Sequence, residues 1–297
     1  MRRFGAPGAV PAMARNLHYQ HQRFALTLFQ NIPEPELELS MNRRTRTALA
    51  TMATLAGLGA APVAVHAEEA PATAFNIGVF TEYRYRGISQ SRLQPALQGG
   101  IDYTNPNGFY VGTWASTIKW IKDAGKIAGA NAGSTDFEWD FYGGYKFEVA
   151  KDVTLDLGGL YYLYAGNKLA NIGAVNANTF ELYAAVSMGA FTGKYSLSTT
   201  NLFGVPNSKG SGYLDLTYTA DLGDGWSLAP HYGRQDIRHN GIGSYNDFAL
   251  TLGKDFGKGL SASAALLGTD AKSGVYVSPS GKNLGRSTVV LGVKYTF

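Results

Sequence analysis

The chain has 297 residues and a formal charge of +4, with 37 glycines, 18 tyrosines, 15 phenylalanines and no cysteine. The lack of cysteine excludes disulfides, thiolate metal sites and cysteine nucleophiles, and a mean hydropathy of −0.12 is too low for a bundle of membrane helices. Abundant glycine and aromatics with few charges point instead to β-structure.

Residues 41–67 read MNRRTRTALATMATLAGLGAAPVAVHA: arginines at Arg43, Arg44 and Arg46, an apolar run of small residues, then Val65-His66-Ala67 as a cleavage site. That is the pattern of a secretory signal peptide. Residues 1–40 carry no comparable pattern and are expected to be a disordered, mis-called extension, the alternative being a long leader. Residues 68–74 are expected to be a flexible periplasmic lead-in, and 75–297 the folded part. Residues 1–67 hold seven arginines and three glutamates, which leaves 19 basic and 19 acidic residues beyond them. The basic balance therefore belongs to the leader, and no nucleic-acid partner is expected.

From Phe75 onward the pattern has period two, the mark of strands with two different faces. Residues 137–147, FEWDFYGGYKF, put Phe137, Trp139, Phe141, Tyr145 and Phe147 on one face and Glu138, Asp140 and Lys146 on the other. Twelve such segments are predicted: 75–86, 96–103, 109–118, 137–147, 153–165, 179–189, 191–203, 211–222, 226–235, 245–256, 260–269 and 287–297. A short helix is admissible only in 119–136. The connections alternate short and long: TNPNG, EVAKD, Ala190, GDG and GKG against stretches such as 119–136 and 270–286. That layout predicts an all-β, antiparallel up-and-down transmembrane barrel of about twelve strands, with short periplasmic turns and longer external loops. Segments near ten residues suit the roughly 9–11 that a tilted strand needs to cross a bilayer. A soluble β-sandwich or lipocalin-like barrel shows the same alternation, but not the same loop asymmetry.

The blocks EYRYRGISQSRLQPALQGGIDY and GFYVGTWAS resemble the N-terminal hallmark of the TorF-family porins, and the likeness runs from about Phe75 to Phe297. The resemblance implies an outer-membrane barrel of a Gram-negative bacterium that passes small solutes. It implies no known substrate and no catalytic residues.

With an even strand number both termini are expected to be periplasmic, which sets the depth of each lumen residue. Glu82, Arg84, Arg86, Glu138, Asp140, Glu181, Asp215 and Asp247 are expected in the outer half as pore-lining or constriction residues, with Arg84 and Arg86 facing Glu138 and Asp140. Asp102, Lys146, Asp156, Lys194 and Lys294 are expected in the lower lumen. Tyr83 and Tyr85 would then join a lipid-facing girdle, and Ile88 to Pro95 the first external loop. The alternative is that these charges pair and fill the lumen, since eight strands leave no channel and only ~16–18 give an open one. An open pore would be mildly cation-preferring.

The final alternates Val293, Tyr295 and Phe297 form an aromatic carboxy terminus of the kind read by barrel-assembly machinery, an expected partner during biogenesis. Outer-membrane lipid and lipopolysaccharide are the other expected partners, with Lys119, Lys122 and Lys126 either touching lipopolysaccharide phosphates or forming a solvated loop face. Neither a cofactor nor a metal is expected. Past the leader only His231 and His239 remain, with His231 on the polar phase of its strand, so no enzyme is expected. Three functions stay open: a diffusion channel for small solutes or ions, a plugged structural or adhesive barrel, and a barrel hydrolase.

Overall fold

The computed structural model describes residues 73–297. The expected extension, the signal peptide and most of the lead-in lie outside the described residues.

Twelve wall strands follow one another: β1 (Thr73–Phe80), β2 (Ala96–Thr104), β3 (Phe109–Thr117), β4 (Phe137–Ala150), β5 (Val153–Leu163), β6 (Thr179–Met188), β7 (Phe191–Ser198), β8 (Gly212–Tyr218, continued by Ala220–Gly223), β9 (Trp226–Asp236), β10 (Tyr245–Asp255), β11 (Leu260–Thr269) and β12 (Thr288–Thr296). Each is antiparallel to the next, and the sheet closes because β12 returns to β1, with Asn76 opposite Thr296 and Phe80 opposite Gly292. The result is a closed antiparallel twelve-stranded barrel. Closure leaves no edge strand with unpaired backbone groups.

The alternation decides which face points where. Along β4, Phe137, Trp139, Phe141 and Tyr145 are exposed on the outside, while Glu138 and Asp140 are buried inside. The same holds around the ring: Val79, Leu97, Val111, Leu182, Leu250, Leu266, Val289 and Leu291 all face outward and exposed. Aromatics collect where strands end. Phe75 and Phe297 stack at the short-turn rim with ring centroids 5.7 Å apart, and Phe137 and Trp139 mark the long-loop rim. No helix among the described residues is long and apolar enough to cross a membrane.

Two strands end well short of expectation: β7 stops at Ser198 rather than 203, and β1 stops before 86. β1 ends at Phe80; Thr81 still bonds Leu291 of β12, and the residues after it leave the wall. Arg84–Tyr85 pairs with Ile88–Ser89 as a two-residue hairpin whose tip, Arg86-Gly87, has φ of 48° and 77°. Positive φ at both central residues is the hallmark of a type I′ turn, whose twist matches that of the flanking strands. This hairpin folds inward. Tyr83 and Tyr85 are therefore buried in the lumen rather than set in an outer girdle, and Ile88 and Ser89 are buried rather than part of an external loop. Period two continued through this stretch because the hairpin is extended, but both of its faces are covered by lumen side chains.

The long loop after β3 contains α1 (Trp120–Ala128), which stops at Gly129 with φ 65°. Ile118 and Ile121 pack over the cluster of Tyr83, Tyr85, Tyr162 and Tyr164, closing the long-loop end from above.

Candidate functional site: a plugged lumen

Every acidic and basic residue expected in the outer half has its side chain inside the barrel, but the pairing differs from expectation. Arg84 and Arg86 do not face Glu138 and Asp140. Arg84 lies within the hairpin, where its Nη2 donates to Glu82 Oε1 at 3.1 Å and its Nη1 to the carbonyls of Gly87 at 2.8 Å and Leu284 at 2.7 Å. It thereby ties the hairpin to the loop preceding β12. Arg86 reaches from the tip to two walls: Nη2 to Glu181 Oε2 on β6 at 2.7 Å, and Nη1 to Gln235 Oε1 on β9 at 2.7 Å. Its guanidinium also sits over the rings of Tyr85 at 4.7 Å and Tyr213 at 4.2 Å. A buried cation is thus matched by one carboxylate, one amide and two aromatic faces.

The carboxylates are held mainly by phenols. Glu138 accepts from Tyr83 Oη at 2.5 Å and Tyr164 Oη at 2.6 Å, one from the hairpin and one from beyond β5. Tyr85 and Tyr162 share a hydrogen bond of 2.6 Å, and Tyr162 also donates to Glu181 at 3.2 Å. Asp247 accepts from Tyr213 Oη at 3.0 Å and lies 3.0 Å from His231 Nε2, while His231 Nδ1 is 3.3 Å from Asp215 Oδ1. Asp140 differs. It is 0% exposed, and neither carboxylate oxygen has a hydrogen-bond partner among the described residues.

Gly87 explains how the tip seats so deeply. A Cβ there would lie 2.5 Å from Thr269 Cγ2 and 2.8 Å from Asp247 Cβ, so only glycine fits at that φ. Between tip and wall a void of about 20 Å³ remains, lined by Tyr85, Arg86, Tyr162, Lys194, Tyr213 and Asp215. That is room for about one water molecule.

Below the plug the lining is half-buried and charged. Lys146 lies 3.9 Å from Asp156 and over the Tyr110 ring, Lys194 lies over the Tyr183 ring, and Tyr110 donates to Asp156 at 2.7 Å. The Tyr110 and Tyr183 hydroxyls meet each other, as do Tyr142 and Asp102. Lys294 faces inward on β12, opposite Gly78 and Ser261. Val293, Tyr295 and Phe297 lie outward on the closing strand, where Tyr295 and Phe297 stack at 5.8 Å.

On the long-loop side, Lys119 and Lys122 both pair with Asp136, at 3.6 and 2.5 Å, and Arg92 pairs with Asp123 of α1. The hydrogen bond from Lys122 holds the Asp136 carboxyl below the usual carboxylate range, and that to Asp123 raises the Arg92 guanidinium. The phenols that hold the plug are not apparent from the sequence, because tyrosine in an alternating strand reads as a girdle residue. Their excess over phenylalanine was the available signal.

These features define a closed antiparallel β-barrel whose lumen carries an internal hairpin. The chain belongs to the family described as "Bacterial protein of unknown function (Gcw_chp)", whose model matches residues 65–297. Among solved structures it is similar to a KdgM porin (8% identity, TM-score 0.48, covering 75% of this chain and 99% of that one) and a NanC porin (14%, 0.48, 76% and 99%). A third is the outer membrane protein Omp33 of Acinetobacter baumannii (8%, 0.43, 76% and 97%). At those scores no argument about function rests on the likeness. No curated protein matches the chain.

Proposed function

We propose that the protein is an outer-membrane channel for small polar solutes or ions, closed in this conformation by the hairpin of residues 81–95. Membrane placement is supported by the outward apolar belt with aromatic rims, far larger than the exposed patches of soluble proteins. The long-loop rim then faces outward, and the start of β1 at Thr73 and the end of β12 at Thr296 both lie on the periplasmic side. The resemblance to TorF-family porins supports the same reading.

One observation carries the channel assignment: the plug is tied to the wall strands by side chains, its backbone bonds going to loops through Ser89 and Gln90, above a charged lower lumen. Residues 82–89 pair with no wall strand. Their links to the wall include Arg86–Glu181, Arg86–Gln235, Tyr83–Glu138 and Tyr85–Tyr162, all of which can exchange for water without unravelling the sheet. Beneath it Asp102, Lys146, Asp156, Lys194 and Lys294 keep the passage polar, which a barrel filled for stability alone does not need. Planar-bilayer recording tests this: protein purified from outer membranes stays mostly closed, and Arg86→Gln gives steady openings.

A plugged structural barrel is the second reading, favoured by the void of about 20 Å³ at the tip. A folded Arg86→Gln barrel that never conducts would establish it. The hydrolase reading has least support, because both His231 ring nitrogens are engaged, by Asp215 and Thr217 on one side and by Asp247 and Tyr213 on the other. Cation preference, from the outer carboxylates, requires that the open form frees Glu138, Asp140 or Glu181 from the hairpin.

A further inference from the structure

On the outer rim, the loops 199–211 and 237–244 enclose an open groove of about 810 Å³ that the lumen does not share. Its cationic lining is Lys209 and Arg238, with the imidazole of His239 beside them; all three are exposed, and no carboxylate lines it. Its lower wall is Leu197, an outward residue of β7 that is 40% exposed and continues the apolar belt. The groove thus runs from the edge of the apolar band up into a cluster of positive charge.

The groove is built rather than incidental. Asn207 and His239 both have φ of 57°, a conformation that ordinary side chains resist, and they are locked together by His239 Nδ1 donating to the Asn207 carbonyl at 2.9 Å. That bond leaves Nε2 as the ring's second polar atom. Arg238 lies against the loop at Gly210, whose φ of 88° is one that glycine adopts freely. The Asn207–His239 bond thus ties together the two loops that carry Lys209 and Arg238 beside an apolar ledge.

We propose that this groove binds the phosphorylated glycolipid of the outer leaflet, with a headgroup phosphate between Lys209, Arg238 and His239 and an acyl chain along Leu197. A guanidinium and an ammonium converging on one site without a competing carboxylate match a phosphate's charge and acceptors. The apolar ledge below selects a lipid-borne phosphate over a free one. The expected contact at Lys119, Lys122 and Lys126 is the weaker candidate, because Asp136 already neutralises the first two. The inference rests on the outer-membrane reading, not on whether the lumen conducts.

The test uses full-length protein extracted from outer membranes in mild detergent, delipidated, and titrated with bis-phosphorylated lipid A under native mass spectrometry. The wild type binds one copy tightly, and dephosphorylated lipid A binds at least about tenfold more weakly. The Lys209→Ala/Arg238→Ala double variant also loses about tenfold or more, whereas Lys282→Ala on another long loop does not. Circular dichroism and heat-modified gel mobility confirm that each variant is folded. Equal binding by the double variant and the wild type overturns the proposal. So does inorganic phosphate at millimolar concentration displacing lipid A, which would assign the site to a soluble anion. Protein that fails to fractionate with outer membranes would overturn the outer-membrane reading instead.

Discussion

The Arg86 guanidinium and the Glu181 carboxylate meet at 2.7 Å, with only 5% and 2% of their side chains exposed. Arg86 stands at the tip of a hairpin and Glu181 on the wall, so this contact is one of those that join the plug to the barrel. Removing either partner alone strands a buried charge, whereas removing both does not.

Arg86→Gln is therefore expected to destabilise the barrel by about 3–5 kcal/mol, and Arg86→Gln/Glu181→Gln by clearly less than the sum of the two single changes. Urea unfolding in lipid vesicles, followed by tryptophan fluorescence, measures the cycle. Additive losses would mean that the pair is not coupled.

Gly87→Ala should cost about 1–3 kcal/mol, because the new methyl adds a collision with Thr269 and Asp247 to an unfavourable φ. Gly129→Ala is the control: its φ of 65° is similar, yet nothing lies within 4 Å of the added Cβ. The same unfolding assay separates them, with Gly129→Ala the milder of the two.

Asp140 offers the opposite sign. Its carboxylate is enclosed without a partner, so Asp140→Asn is expected to raise stability by about 1 kcal/mol or more. A drop in the unfolding midpoint would show that the charge at this position is compensated.

Two loop carboxyls predict the response to acid. Asp136 is held low chiefly by the hydrogen bond from Lys122, and Asp270 chiefly by that from the Asn246 side chain. A depressed folded pKa gives stability that is present above the unfolded value, near pH 4, and lost as pH falls through the folded value. Asp270 is exposed and the Asp136 side chain is 37% exposed, so solvent screening keeps the effect local. Loops 118–136 and 270–287 should become protease-sensitive below about pH 4 while the wall persists. Asp136→Asn should make the first loop's sensitivity independent of pH.

Phe297→Ala removes stacking against Phe75 and Tyr295, which should cost about 0.5–1.5 kcal/mol in the refolded barrel. If the terminal aromatic is also read during assembly, cells will show a much larger fall in outer-membrane protein than that stability change explains. Quantitative blotting of membrane fractions measures it.

Most of the wall was legible in the sequence. Strands such as β4, β10 and β12 alternate without interruption, and a closed barrel with one apolar face leaves each residue a single direction to point. The inward phase of His231 followed from the same rule. The end of β1 was not legible, because Glu82 to Arg86 continue the alternation while leaving the wall. Nor was the partner of each arginine. Which carboxylate meets Arg86 depends on the stagger of strands around the ring and on the depth of the hairpin, neither of which period two encodes. The groove at Lys209 and Arg238 depends on loop conformations set by Asn207, Gly210 and His239, where local sequence permits several turns.

The seam between β1 and β12 carries a consequence for biogenesis. Arg84 holds the plug by donating to the carbonyls of Leu284 and Arg286, which belong to the last loop of the chain, and β1 finds its second neighbour only in β12. Until that final hairpin arrives, the ring is open and Arg84 lacks these carbonyl acceptors. Enclosure of Arg84 is therefore tied to closure of the ring. The hairpin is enclosed together with its charges, not fitted into a finished cylinder.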